Sequence, residues 1–275
     1  MIRHTVMVLG REVAYWERGS QWPQTILMLH GFRGNHKGLT DMVQHFDGFR
    51  LILPDLPGYG ESEPLGMPHT LLNYARWLDE FVAAVGLKRY VSWSHSYSGS
   101  IGLIQAAEGR HKPEALVTVS LAAIRRDWAT AVGTLYYRIS QWLPYGLARR
   151  WVGSKMIDHA PHRWLFMTVT RERQRELVRR GDENLPLLNP RVVAEEYMSA
   201  LDTDLDYYAT RVKVPALVVA GAKDIIVPLA RLEHLASVLP AGQLLVMPDQ
   251  GHLAPIERPE ATATISKRFF NGFSA

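Results

Sequence analysis

No cysteine occurs anywhere in the 275 residues. That absence removes disulfides, thiolate metal sites, iron–sulfur clusters and a cysteine nucleophile together, so any covalent chemistry has to use another side chain. Long apolar stretches are missing too. The longest uncharged run, between Arg89 and Glu108, is interrupted by Ser92, Ser94, His95, Ser96, Ser98 and Ser100 and is too polar for hydrocarbon. No transmembrane helix or membrane insertion is expected. The opening Met1-Ile2-Arg3-His4-Thr5 lacks the apolar block and small-residue cleavage site of a secretory signal, which points to a cytoplasmic location. Neither charge dominates: Lys and Arg number 31 against 27 Asp and Glu, a net of +4 that calls for no nucleic-acid partner. Internal repeats and low-complexity tracts are also lacking.

What is present is a globular composition. Hydrophobic residues make up 47% and charged residues 21%, which excludes disorder, collagen and coiled coil, and the length fits one large domain carrying a sizeable insertion. Short apolar, β-branched runs recur at Thr25 to Leu29, Arg50 to Leu53, Tyr90 to Trp93, Leu116 to Val119, Ala216 to Val219 and Gln243 to Val246, and predict buried strands. Helix-length stretches at Leu71 to Val85, Tyr97 to Ala107, Leu229 to Val238 and Pro259 to Phe273 alternate with them, the order of a mostly parallel sheet. Two earlier candidates, Thr5 to Leu9 and Glu12 to Glu17, are split by Gly10-Arg11 and suggest an edge hairpin.

The alternation breaks from Arg125 to near Asp206, where the period turns helical and Pro144, Pro161, Pro186 and Pro190 punctuate the chain. This predicts a core domain of residues 1–124 and 207–275 with a helical cap inserted at 125–206. Residues 125–180 hold eleven Arg and one Lys against four acids, a net of +8, whereas 181–210 hold one Arg against seven acids, a net of −6. Solvated helix faces of opposite sign that pair with each other are one reading, and a basic lid that attracts acidic substrates is the other. The segment also contains Trp128, Trp142, Trp151 and Trp164, half of the 8 Trp, together with Tyr136, Tyr137, Tyr145, Phe166 and Tyr197. Such aromatics are expected to pack the insertion onto its host, some of them lining an apolar pocket.

Chemistry concentrates at three strand ends. Ser94-His95-Ser96-Tyr97-Ser98 ends a strand and opens a helix, placing Ser96 at a corner of the kind that exposes a nucleophile, although Ser94 and Ser98 stand where glycine is usual. A serine hydroxyl needs an imidazole to take its proton, and the imidazole needs a carboxylate to fix its tautomer. Asp224, after the strand beginning at Ala216, is the candidate acid, and His252, after the strand beginning at Gln243, the candidate base. The loop His30-Gly31-Phe32-Arg33-Gly34 follows another strand. It could offer the backbone N–H of Phe32, converging with that of Tyr97, to the negative charge that develops on a carbonyl oxygen under attack. His30 and His95 are assigned structural and packing roles.

These residues resemble the α/β-hydrolases over nearly the whole chain. The likeness rests on His30-Gly31-Phe32, Asp55-Leu56-Pro57-Gly58-Tyr59-Gly60-Glu61-Ser62, the Ser96 corner, Gly221 to Asp224, and Gly251-His252 followed by Glu257-Arg258-Pro259. The resemblance implies an α/β fold with a mostly parallel eight-stranded sheet, helices on both faces and a cap between the sixth and seventh strands. It implies Ser96, Asp224 and His252 as catalytic residues and no metal or organic cofactor. Serine at the corner, where dehalogenases and epoxide hydrolases of this fold use Asp, argues against those activities. Leu253 after the histidine, where carbon–carbon bond hydrolases carry Trp, weakens that alternative. Ser94-His95-Ser96 also resembles cofactor-free dioxygenases of the fold, which use the histidine as base and lack the acid present here as Asp224. The leading expectation is a serine hydrolase acting on a small to medium, partly apolar ester, thioester or lactone. A dioxygenase or carbon–carbon hydrolase driven by His252, and a non-enzymatic small-molecule receptor, stand as alternatives.

Overall fold

The computed structural model describes residues 1–124, 126–155, 159 and 165–272, with Ala129 described by its backbone alone. Expectations placed on Arg125, Asp158, Pro161, Arg163, Trp164 and Phe273 lie outside the described residues.

Leu9 and Gly10, at φ 51° and 73°, form the two-residue turn with both positive φ angles that matches the twist of a hairpin. The turn falls one residue earlier than the Gly10-Arg11 split suggested. It joins β1 (Ile2–Val8) to β2 (Arg11–Arg18), an antiparallel pair at one edge of an eight-stranded sheet. The remaining strands are β3 (Thr25–Leu29), β4 (Arg50–Pro54), β5 (Val91–His95), β6 (Leu116–Val119), β7 (Ala216–Gly221) and β8 (Gly242–Met247). Their order is β1-β2-β4-β3-β5-β6-β7-β8, and every pairing from β4 to β8 is parallel. All C-terminal ends of β3 to β8 therefore meet on one rim.

Side chains alternate across this sheet. Leu27, Leu29, Ile52 and Val218 face one core, together with helices α1 (Leu71–Val85) and α2 (Tyr97–Glu108). Ile26, Met28, Leu51, Trp93 and Val219 face a second core closed by Phe269 and Phe270 of the C-terminal helix. Both faces are covered, so β3, β6 and β7 are buried at every residue, as their unbroken apolar runs predict. β8 departs from its predicted burial: Gln243 and Leu244 are exposed because it is the outer strand and has a neighbour on one side only.

Between β6 and β7 lie α3 (Trp128–Trp142), α4 (Tyr145–Val152), α5 (Arg171–Asp182), α6 (Pro190–Asp202) and α7 (Leu205–Ala209). The expected boundary at 206/207 falls inside α7, which packs on α2. Four hydrogen bonds among the described residues pin α6 to the core: His69 donates its backbone N–H at 2.7 Å and its Nδ1–H at 2.9 Å to Glu195, the N–H of Leu71 donates to Ser199 at 2.8 Å, and the Tyr59 hydroxyl donates to Glu196 at 2.6 Å. The Ser199 bond satisfies an otherwise orphaned N–H at the start of α1.

The charged faces pair partly with each other. Lys155 and His159 reach Asp182, and Arg126 meets Asp202. Arg173 and Arg180 turn instead to Asp41 of the core. Of the segment's aromatics, Tyr137 is buried in the core and Tyr136, Trp151 and Tyr197 pack against it as expected, whereas Trp128 and Trp142 depart from that expectation, both being 81% exposed. Their positions on α3 point away from the host, and the inner face of that helix is held by Tyr137.

Candidate active site

β5 ends where its last hydrogen bond locks the corner. The N–H of Ser96 donates to Val119 at 2.9 Å, and its carbonyl accepts from Gly99 at 2.9 Å and Ala122 at 3.1 Å. Between these clamps Ser96 is held at φ 57° and ψ −121°, a backbone conformation that costs a non-glycine residue about 1–3 kcal/mol. The strain lifts its side chain to the rim and starts α2 at the next residue. Serine at 94 and 98 is accommodated with its hydroxyls bonded. Ser98 donates to the Leu29 carbonyl at 2.9 Å and accepts from the His95 N–H at 3.2 Å, whereas Ser94 reaches only the Val117 carbonyl at 3.3 Å.

The candidate acid and base follow the last two strands. Ser96 Oγ lies 2.8 Å from His252 Nε2, and His252 Nδ1 lies 2.8 Å from Asp224 Oδ2. A carboxylate only accepts, so Nδ1 carries the proton of the neutral ring and Nε2 is left to accept from the serine. Asp224 Oδ1 takes the N–H groups of Ile226 at 2.8 Å and Val227 at 3.0 Å. Burial by itself would raise the Asp224 pKa, but the His252 ring and these amides outweigh it and hold the carboxyl below its ordinary range. The three predicted residues are thus brought together from three separate strand ends.

The Gly31 loop comes up against the same corner. A Cβ on Gly31 would sit 3.1 Å from the His95 ring and 3.3 Å from Ser96 Cβ, so a side chain there would require its neighbours to shift by a few tenths of an ångström, and Phe32 and Tyr97 flank the serine. Tyr97 opens α2, where a backbone N–H has no carbonyl within its own helix. His30 is structural as expected: its Nε2 accepts from the Leu56 N–H at 2.9 Å, leaving Nδ1–H for the Gly31 carbonyl. The Asp55 to Ser62 run is likewise scaffolding. Asp55 binds the N–H groups of His36 and Glu61, and a Cβ on Gly60 would fall 1.9 Å from its carboxylate.

A cavity of about 430 Å³ opens over the serine. It is walled by Phe32, Ile124, Tyr137, Leu165, Tyr197, Ile226 and Ile256, with Ser96 and His252 on its floor. Among the described residues, no arginine of the inserted segment lines it, which leaves the basic-lid reading without support there. No group of His, Asp or Glu among the described residues has the clustering of a metal site.

Three roles escaped the sequence. His95 donates Nε2–H to the His252 carbonyl at 2.9 Å and so holds the base loop; burial, and next the neighbouring His252, lower its pKa to about 4, keeping it neutral. Glu257 accepts the N–H groups of Met167 at 2.9 Å and Thr168 at 2.6 Å, tying the inserted segment to the core. Glu196 is fully buried beneath Tyr59. Adjacency to Ser96 marked His95 only for packing, and no local spacing signals the other two.

Sheet order, a serine on a strained strand-to-helix corner, and an acid and a histidine after later strands define a fold class that builds hydrolytic sites on its strand rim. Residues 24–259 match the alpha/beta hydrolase fold, and the chain belongs to that family of hydrolases. It is 25% identical to Lipase 1 of Psychrobacter immobilis over 98% of this chain and 83% of the lipase. Haloalkane dehalogenase 2 of Mycobacterium tuberculosis is 26% identical over 81% of this chain and 79% of its own. A thermophilic esterase from Thermogutta terrifontis superposes with a TM-score of 0.83 at 23% identity, covering 99% of both chains. An enol-lactonase from Burkholderia xenovorans gives 0.82 at 19% identity over 98% of this chain and all of that one. Identities at that level carry the fold.

Proposed function

We propose that the protein is a cofactor-independent serine hydrolase that cleaves a small to medium, partly apolar carboxylic ester, thioester or lactone, with residues 125–206 acting as its cap. The observation that carries this is the unbroken chain from Ser96 Oγ through His252 to Asp224, with both bonds at 2.8 Å, opening onto an apolar cavity. Ser96 attacks the substrate carbonyl while His252 Nε2 takes its proton, and Asp224 holds the imidazolium that results. The tetrahedral oxyanion is received by the N–H groups of Phe32 and Tyr97, a single such donor being worth ~10² to 10³ in rate. Collapse breaks the carbonyl–leaving-group bond, and His252 returns the proton to the departing alcohol or thiol. A water, deprotonated by the same ring, then attacks the acyl-enzyme and frees the acid and Ser96.

The lipase and esterase among its relatives favour ester substrates. Serine at the corner favours an acyl intermediate. The test is intact mass after exposure to a fluorophosphonate probe. One adduct on Ser96, lost in Ser96→Ala and in His252→Ala, is expected. Absence of an adduct on folded protein, or turnover that persists in Ser96→Ala, would replace this mechanism with chemistry in which His252 acts on the substrate directly.

A further inference from the structure

Of the sixteen large apolar side chains exposed among the described residues, six fall between Trp128 and Leu147. On α3, Trp128, Val132, Leu135, Ile139 and Trp142 recur at intervals of four and three, which gathers them into one stripe of about 80° at 100° per residue. Trp128 and Trp142 are 81% exposed, Val132 63% and Leu135 58%, and exposed Tyr145 and Leu147 follow across the turn into α4. The opposite side of the helix is already occupied: Tyr137 is buried against the cavity and Gln141 is bonded to Pro190. The outer stripe is therefore not the misplaced half of an internal core, and a contiguous apolar face of this kind marks an interaction surface.

Charge selects the partner. No acidic residue occurs between Asp127 and Asp158, while Arg138 borders the stripe and Arg149 and Arg150 stand exposed on α4. Arg138 and Arg150 make no carboxylate pair among the described residues. A second copy docking through the same face would set these arginines against their own counterparts. An anionic lipid surface takes both features at once. Its phosphates meet the arginines, and its headgroup boundary receives Trp and Tyr, whose rings are apolar with one polar tip. No helix among the described residues is long and apolar enough to cross a membrane, so the contact is peripheral.

We infer that the outer face of α3 and α4 is a docking surface for an anionic lipid membrane, with α3 lying flat between the lipid and the cavity wall. The inference does not depend on the acyl-enzyme reading.

Co-sedimentation of the full chain with vesicles tests it, using equal parts phosphatidylcholine and phosphatidylglycerol against phosphatidylcholine alone. Binding to the mixed vesicles is expected, weakening as salt rises. Trp128→Ala/Trp142→Ala should weaken it by about tenfold or more, with fluorophosphonate labelling and thermal melt unchanged. Arg138→Gln/Arg150→Gln should weaken it chiefly at low salt. Three results would overturn the inference: no binding of the unaltered chain to mixed vesicles, equal binding by the tryptophan variant, or a dimer in light scattering that the tryptophan variant dissociates.

Discussion

The hydroxyl of Ser98 holds two strands in register at the reactive corner, bonding the end of β3 through Leu29 and the end of β5 through His95. Ser98→Gly removes both of these buried hydroxyl bonds, an expected loss of about 1 kcal/mol in stability. The Gly31 loop then loosens from the serine, and the fall should appear in kcat more than in KM. Ser94→Gly removes one long bond and should leave activity near that of the unaltered enzyme. Steady-state kinetics and thermal melts of the two variants check this, and a fully active Ser98→Gly would show that its hydroxyl is merely accommodated. At this scale the sequence was informative where chemistry restricts residue type: few side chains can serve as nucleophile, base and acid, and Ser96, Asp224 and His252 each follow a recognisable strand. It did not reveal the hydrogen-bonding roles of His95 and Glu257, whose partners are backbone groups 157 and about 90 residues away.

Among the elements, strands covered on both faces were the most legible, because a strand buried all round must be apolar throughout. β8 was misjudged for the complementary reason: a run such as Leu244-Leu245-Val246 does not say whether a second neighbour will arrive. α3 carries apolar residues on an inner and an outer face, and only packing separates Tyr137 from Trp142. The one-turn helix that ends at Glu257 fastens the segment at Met167 and Thr168 to the core. Glu257→Ala orphans both amides, so faster hydrogen exchange is expected around residues 165–168, with a stability loss of about 1–3 kcal/mol. Exchange there that matches the unaltered protein would show that the carboxylate is not what fastens the segment.

For the molecule as a whole, the buried Glu196 couples the inserted segment to the core. Burial raises its pKa from 4.5 to about 8, against the opposing bond from Tyr59. From pH 4.5 to about 8 the folded protein therefore keeps a proton that the unfolded chain has released. Stability should fall as pH rises through that window, by about 1.4 kcal/mol for each unit of difference, and then level off. Glu196→Gln should remove this component of the slope, and melts of the two proteins across the window decide it; identical slopes would refute the assignment. Composition, the order of apolar runs and the three reactive residue types were set by the sequence alone, since each depends on local pattern or on the chemistry of a single side chain. Tertiary structure decided the rest. Which strand became an edge, which aromatics of the segment face the cavity and which face solvent, and where the carboxylates of Glu196 and Glu257 find partners all depend on groups distant in the chain, brought together only when the two faces of the sheet are buried.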